Sequence, residues 1–310
     1  MRAVRSEPTK HVTCNLCGKD DYSVKFPAGK AQRNQIVECN VCGLMYANPR
    51  VTEEEHEVLS KADANQVFSE IGTSHRQRME KETLQVRDYA VTRSLLAECF
   101  PNRGQLLEIG SGFGYLSRFF REDGWQTVGV DPNAAFCRYA ESELGLNVIA
   151  ATLPEADVAD ESVDVALMMH VIEHVPDPVD TLREIYRVLR PSGILVMETP
   201  RYDTLTFKVL GRRERSLSCD GHIYFFTSLS LRKLATRTGF EVVREDMVGR
   251  SLTMDRLIYN VGVVSKSKRV QAALRNFATK TRSNKVSMSI NLRDMERIYL
   301  RKPYHQSGCA

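Results

Sequence analysis

The chain has 310 residues and a net charge of +4 at neutral pH, and 42% of its residues are hydrophobic and 26% charged. Those proportions belong to ordinary globular proteins and exclude a fibrous or generally disordered chain. No apolar run approaches the length of a membrane-spanning helix and the first residues lack a signal-like apolar core, so the expectation is a cytoplasmic protein whose eight cysteines form no disulfide framework and in which metal binding accounts for the paired ones, while Cys99, Cys137, Cys219 and Cys309 are ordinary.

Residues 1–50 read as one module. Cys14-x-x-Cys17 and Cys39-x-x-Cys42, each followed by glycine, form two knuckles able to present four thiolates to a structural Zn²⁺, closing every coordination position. A redox pair or buried cysteines would not call for two matched knuckles. Residues 51–102 are rich in Glu, Arg, Gln and Leu, and Leu84, Tyr89, Leu95 and Leu96 suggest a helical linker or cap.

From 103 to 310 short apolar strands alternate with amphipathic helices, which predicts a parallel sheet covered by helices. The strands are expected at 105–109, 127–130, 147–150, 163–168 and 194–198. A sixth at 240–243 and a last at 297–300 would complete seven. A basic helical insertion is expected at about 250–290. From Arg250 to Lys302 thirteen lysines and arginines face three acids, a net of +10, open to a solvated face, a phosphate-bearing substrate, an anionic membrane surface or RNA.

Glu108-Ile109-Gly110-Ser111-Gly112-Phe113-Gly114 lies between the first strand and its helix. Glycines there let the backbone approach a ligand closely. Asp131, followed by Pro132 at the end of the second strand, can accept hydrogen bonds from ribose hydroxyls. A glycine loop alone does not separate nucleotide classes, but Tyr115 stands where a dinucleotide site wants Gly or Ala, and Glu108 can hold the amino-acid end of S-adenosylmethionine.

Four ordered landmarks carry a family resemblance over about residues 12–245: Cys39 to Arg50, Glu108 to Gly114, His170-Val171-Ile172-Glu173-His174-Val175-Pro176-Asp177-Pro178, and His222-Ile223-Tyr224-Phe225-Phe226. The segment resembles the class I S-adenosylmethionine-dependent methyltransferases that begin with a zinc ribbon, often found acting on glycans and other small molecules. The resemblance implies an α/β Rossmann-like seven-stranded sheet and S-adenosylmethionine as donor, with S-adenosylhomocysteine as product. It further implies donor contacts from Thr152, Leu153 and His170. Many relatives carry an acid near Ala151 or Thr152, which this chain lacks, so the adenine contact there would fall to a backbone or hydroxyl group.

For a hydroxyl acceptor a base is needed, and His174 and His222 are the candidates. Their alternative uses are fixing a loop and packing or binding substrate. Arg201 and Tyr202 after the fifth strand, with Tyr224, are expected at the acceptor, Arg201 to grip a phosphate. His170, Glu173 and His174 also spell His-x-x-Glu-His, leaving open a divalent ion that assists the transfer. The expected function is methylation of a small-molecule or glycan hydroxyl. RNA methylation ranks lower, because no Asn-Pro-Pro-Tyr tetrad follows the fourth strand, though nucleic acid is not excluded. A non-catalytic donor-binding scaffold is a third reading.

Overall fold

The computed structural model describes residues 9–29, 34–51, 83–213, 217, 221–253 and 287–304. In chain order its strands and helices are β1 (Thr9–Lys10), β2 (Tyr22–Phe26), β3 (Ile36–Cys39), β4 (Met45–Ala47), β5 (Arg50–Val51), α1 (Thr83–Cys99), β6 (Gln105–Ile109), α2 (Tyr115–Glu122), β7 (Gln126–Val130), α3 (Ala134–Leu144), β8 (Asn147–Ile149), β9 (Val163–Met169), α4 (Pro178–Val188), β10 (Leu189–Pro200), α5 (Leu205–Leu210), β11 (Tyr224–Phe225), α6 (Ser228–Arg237), β12 (Glu241–Thr253) and β13 (Ser287–Arg301).

The main sheet runs β12-β13-β10-β9-β6-β7-β8. From β8 to β10 its pairs are parallel, while β13 lies antiparallel between β10 and β12. Strand β9 is buried along most of its length, as a strand covered on both faces must be, which is why its apolar run is legible in the sequence. Strand order reverses between β6 and β9, so the crevice outside the carboxyl ends of these strands is where such sheets bind ligands. Asp177 caps α4 by accepting from Val179 N–H (2.8 Å) and Asp180 N–H (3.1 Å), with Pro178 in the first turn. In α1, Leu96 is buried, and Tyr89 and Leu95 pack against the same cluster; residues 52–82 of the predicted 51–102 linker lie outside the described ones.

Two expectations need correction. Strand β12 continues to Thr253 and β13 begins at Ser287, in register Thr253↔Ser287, so both ends of the predicted 250–290 helical insertion are strand; residues 254–286 lie outside the described ones. The strands expected at 240–243 and 297–300 lie at the start of β12 and the end of β13, which is buried from Met295 to Leu300, and Glu241 and Arg301 pair beside them at 2.8 Å. The second correction concerns the 1–50 module. Its sheet, β11-β4-β3-β2, takes β11 from the far side of the chain, and its cysteines share one core cluster with β6, β9, α4 and α6.

Candidate active site

The loop after β6 is built by glycines with left-handed backbones: Gly110 at φ 70°, Gly112 at 51° and Gly114 at 78°. Their surroundings differ. A Cβ on Gly110 would strike Val171, and one on Gly114 would strike Leu146, so these two allow close packing; one on Gly112 meets nothing within 4 Å. Gly112 therefore faces open space at the crevice. Its N–H donates to Asp131 Oδ2 (2.8 Å), and Asn133 N–H donates to Oδ1 (2.8 Å), so the carboxylate ending β7 is aimed before any ligand arrives. Pro132 beside it is exposed.

Ser111 Oγ is buried beside this loop with no hydrogen-bond partner among the described residues. Glu108 is buried and accepts from Ser117 Oγ of α2; burial pushes its carboxyl up to about 8. A cationic ammonium beside it would favour the ionised form. An adenosine-bearing ligand with an amino-acid tail fits this set: a cradle with open space at Gly112, an aimed carboxylate, and, among the described residues, an orphaned hydroxyl and an acid with no counter-charge. Thr152 gives both its N–H (2.9 Å) and its hydroxyl (2.7 Å) to Glu155 Oε2, so that hydroxyl is already engaged. Leu153 is buried in the main core.

Val171, which Gly110 abuts, belongs to the segment after β9, so the glycine loop and the His170–Asp177 segment are in direct contact. His170 takes a left-handed backbone (φ 58°), with Nδ1 at 3.7 Å from Glu173 Oε1 and Nε2 at 3.3 Å from Glu198 Oε1. The side chain is 40% exposed. Burial alone would lower its pKa, but the two carboxylates outweigh that and hold it at about 9. Glu173 is almost wholly buried and accepts from Thr199 Oγ1 (3.0 Å); burial is outweighed by His170, which keeps this carboxyl below its usual range.

His174 and His222 meet edge to face, with ring centroids 4.6 Å apart at 79°. Burial lowers the pKa of His174, leaving it neutral near pH 7 and able to take a proton. Glu173 beside it would stabilise the resulting cation. Ligand atoms of Glu173, His174 and His222 lie within 4.8 Å of one another, near enough for a divalent ion. The charge of Glu173 is nevertheless already met by His170, and the pair is better suited to proton transfer.

The predicted acceptor contacts fare differently. Arg201 is held by Asp203 (2.8 Å) and Glu296 (3.4 Å), so its charge is met within the protein rather than offered to a phosphate. Tyr202 is buried, edge-on to Phe207 and Phe225 at 5.4 and 5.2 Å. Tyr224 is fully buried in the seam with the cysteine module, and burial raises its pKa. Tyr202 is a packing residue, and the Tyr224 hydroxyl is taken up by Arg50, Asn15 and Pro176 within the protein.

The four cysteines converge: all ligand atoms lie within 4.8 Å, with Cys14 and Cys42 sulfurs 3.4 Å apart and Cys17 and Cys39 sulfurs 3.5 Å apart. Sulfurs at about 2.3 Å from a tetrahedral zinc stand about 3.8 Å apart, so the donor set fits that ion. Gly18 (φ 73°) and Gly43 (φ 79°) close the knuckles by donating N–H to Cys14 O (2.6 Å) and Cys39 O (2.9 Å). Burial raises the Cys14 thiol and lifts Cys42 to about 11, which a bound cation would reverse. Cys99 is exposed and Cys137 buried, apart from this centre; Cys219 and Cys309 lie outside the described residues. Asn15, inside the first knuckle, plays no part in the motif reading, and Arg50 enters it only as the end of the Cys39 to Arg50 landmark, with no role assigned.

Sheet order, glycine cradle and aimed carboxylate together define a class I, Rossmann-like methyltransferase. Residues 77–245 match the model of the methyltransferase domain family, and the chain belongs to that family. It is 29% identical over 172 residues to a Mycolicibacterium smegmatis protein named "Probable S-adenosylmethionine-dependent methyltransferase", covering 55% of this chain and 64% of the relative. It is 35% identical over 101 residues to an uncharacterized methyltransferase of Mycobacterium sp. (strain KMS), covering 32% of this chain and 40% of the relative. The matches thus span less than two thirds of these relatives' lengths. Among solved structures, Burkholderia thailandensis 1,6-didemethyltoxoflavin-N1-methyltransferase, with bound 1,6-didemethyltoxoflavin and S-adenosylhomocysteine, aligns with TM-score 0.51 at 16% identity over 84% of this chain and 96% of that one.

Proposed function

We propose that this protein transfers a methyl group from S-adenosylmethionine to the hydroxyl of a small-molecule or glycan acceptor, releasing S-adenosylhomocysteine, and carries a structural Zn²⁺ on Cys14, Cys17, Cys39 and Cys42. The observation that carries this reading is the contact of Gly110 with Val171, which sets the donor cradle directly against the segment bearing His170, Glu173 and His174. The donor supplies an electrophilic methyl group; the protein's part is alignment, exclusion of water and handling of the acceptor proton.

Asp131 receives the ribose hydroxyls, Glu108 faces the ammonium, and Gly110, Ser111, Gly112 and Gly114 let the ligand lie close. His170, Thr152 and Leu153 border it. His174, with His222 against it, removes the acceptor proton. The S-adenosylhomocysteine bound to the Burkholderia enzyme agrees with the donor.

Calorimetric titration with S-adenosylhomocysteine tests the donor site. Asp131→Ala should weaken binding about tenfold or more, since hydrogen bonds to a charged acceptor contribute roughly 1.5–3 kcal/mol. Absence of binding heat in the unaltered protein would defeat the proposal. Mass spectrometry of cells with and without the protein tests the acceptor: an added methyl should fall on a small molecule or glycan, and one confined to RNA would overturn that choice.

A further inference from the structure

The two histidines come from separate stretches of chain, and the segments bearing them are joined directly by backbone bonds from Ile223 and Tyr224 N–H to Glu173 O, at 2.9 and 3.2 Å. The cysteine module grips both. On one side β4 pairs with β11, and Ala47 N–H donates to Ile223 O (2.9 Å), fixing the backbone next to His222. On the other side the bonds are made by two side chains. Asn15, inside the Cys14–Cys17 knuckle, donates from Nδ2 to Asp177 Oδ2 (2.5 Å). Arg50 donates from Nη2 to Pro176 O (2.9 Å) and from Nη1 to the Tyr224 hydroxyl (2.7 Å).

Tyr224 joins these arms. Its hydroxyl has one proton and two acceptors in reach, Asn15 Oδ1 at 2.6 Å and Pro176 O at 2.9 Å. Because Arg50 already serves Pro176 O, the proton is best spent on Asn15. Arg50 is buried, and no carboxylate forms a salt bridge with it among the described residues. An apolar seam would hold the module in place without desolvating a guanidinium. What the polar seam adds is direction, since each bond fixes an angle that apolar contact leaves free. Lys233 and Arg237 of α6 extend the grip, donating to Cys42 O (2.8 Å) and Leu16 O (2.6 Å) at the two knuckles.

We propose that Asn15 and Arg50 are positioning residues for methyl transfer: they lock the cysteine centre to the segments carrying His174 and His222, so that the metal-loaded knuckle sets the geometry of that pair. The inference rests on the reading of His174 and His222 as the acceptor-side pair, and makes the ribbon a working part of the site.

Asn15→Ala and Tyr224→Phe test it on full-length, zinc-loaded protein. The first removes both Asn15 bonds and leaves the four cysteines; the second keeps the buried ring and removes only the hydroxyl. Zinc content by elemental analysis and affinity for S-adenosylhomocysteine should stay as in the unaltered protein, while the imidazole nitrogen NMR shifts of His174 and His222 move in both variants. Once an acceptor is found, kcat should fall by up to about a hundredfold, the loss that misplacing a reacting group by about 1 Å produces, with KM for the donor unchanged. Histidine shifts that hold in Tyr224→Phe, with zinc and product binding intact, would overturn the positioning role. Loss of product binding in the unaltered protein would instead strike the methyltransferase reading, so the two failures are distinguishable.

Discussion

His170 is the residue whose behaviour diverges most from its isolated chemistry. Two carboxylates, at 3.7 and 3.3 Å, hold it protonated to about pH 9, against an ordinary value of 6.5. A group whose folded pKa is raised adds stability that is complete below the unfolded pKa and disappears as pH climbs through the folded one. Stability should therefore decline between about pH 6.5 and 9 as His170 loses its proton. Glu108, raised to about 8, pulls in the same direction, so the comparison must be made with a variant that keeps it. His170→Asn is suitable because asparagine tolerates the left-handed backbone. Denaturant midpoints across that range should fall less steeply in the variant, and parallel profiles would show that the carboxylates do not hold the proton. Much of this site is legible in the sequence because its chemistry is local: a glycine run after a strand, an acid at a strand end, paired cysteines. The roles of Tyr202, Arg201 and Tyr224 are not, because polar aromatic and basic residues near an expected pocket read alike whether they face substrate or one another. Only their partners, Phe207 and Phe225, Asp203 and Glu296, Asn15 and Arg50, decide.

At the level of elements, β10 and β13 are fastened by more than their ladder. Glu198 and Arg297 sit directly opposite in register, both buried, with Nη2 at 2.6 Å and Nε at 2.8 Å from Glu198 Oε2. Arg297 also donates to Thr92 Oγ1 of α1 (2.9 Å) and lies over the Tyr89 ring at 4.5 Å, tying the helix to the sheet. Removing Arg297 leaves the buried Glu198 with His170 as its remaining cation; loss of one partner of a buried pair typically costs about 3–5 kcal/mol, whereas replacing both by apolar residues of similar volume is often neutral. Arg297→Met should accordingly destabilise the protein by about that amount in urea, and adding Glu198→Leu should recover much of the loss. An Arg297→Met variant within about 1 kcal/mol of the unaltered protein would mean that the pair is not coupled. The central strands are legible because burial on both faces leaves an apolar run. Strands β12 and β13 are legible only at 240–243 and 297–300, where Phe240, Ile298, Tyr299 and Leu300 are buried; the parts that run on to Thr253 and back to Ser287 carry no such apolar run and read as insertion.

The whole molecule does not divide where composition divides it. The change from cysteine knuckles to alternating strands and helices suggests separate units, yet Cys14, Leu16, Val37, Cys39 and Tyr46 lie in the same buried cluster as Leu107, Ile109, Met168 and Ile185. Strand β11, which completes the smaller sheet, is flanked by the histidine segment and α6. A shared core and a shared strand mean that neither part can lose its packing without exposing apolar surface of the other. Unfolding should then be cooperative, with one calorimetric transition for both parts. Stripping the metal with a chelator should lower the midpoint of that single transition, by about 2–4 °C for each kcal/mol lost, because a ligand that binds only the folded state stabilises everything that unfolds with its site. An early melt confined to the cysteine module, with the main transition unmoved, would show that the ribbon is a separate domain and that the polar seam transmits nothing.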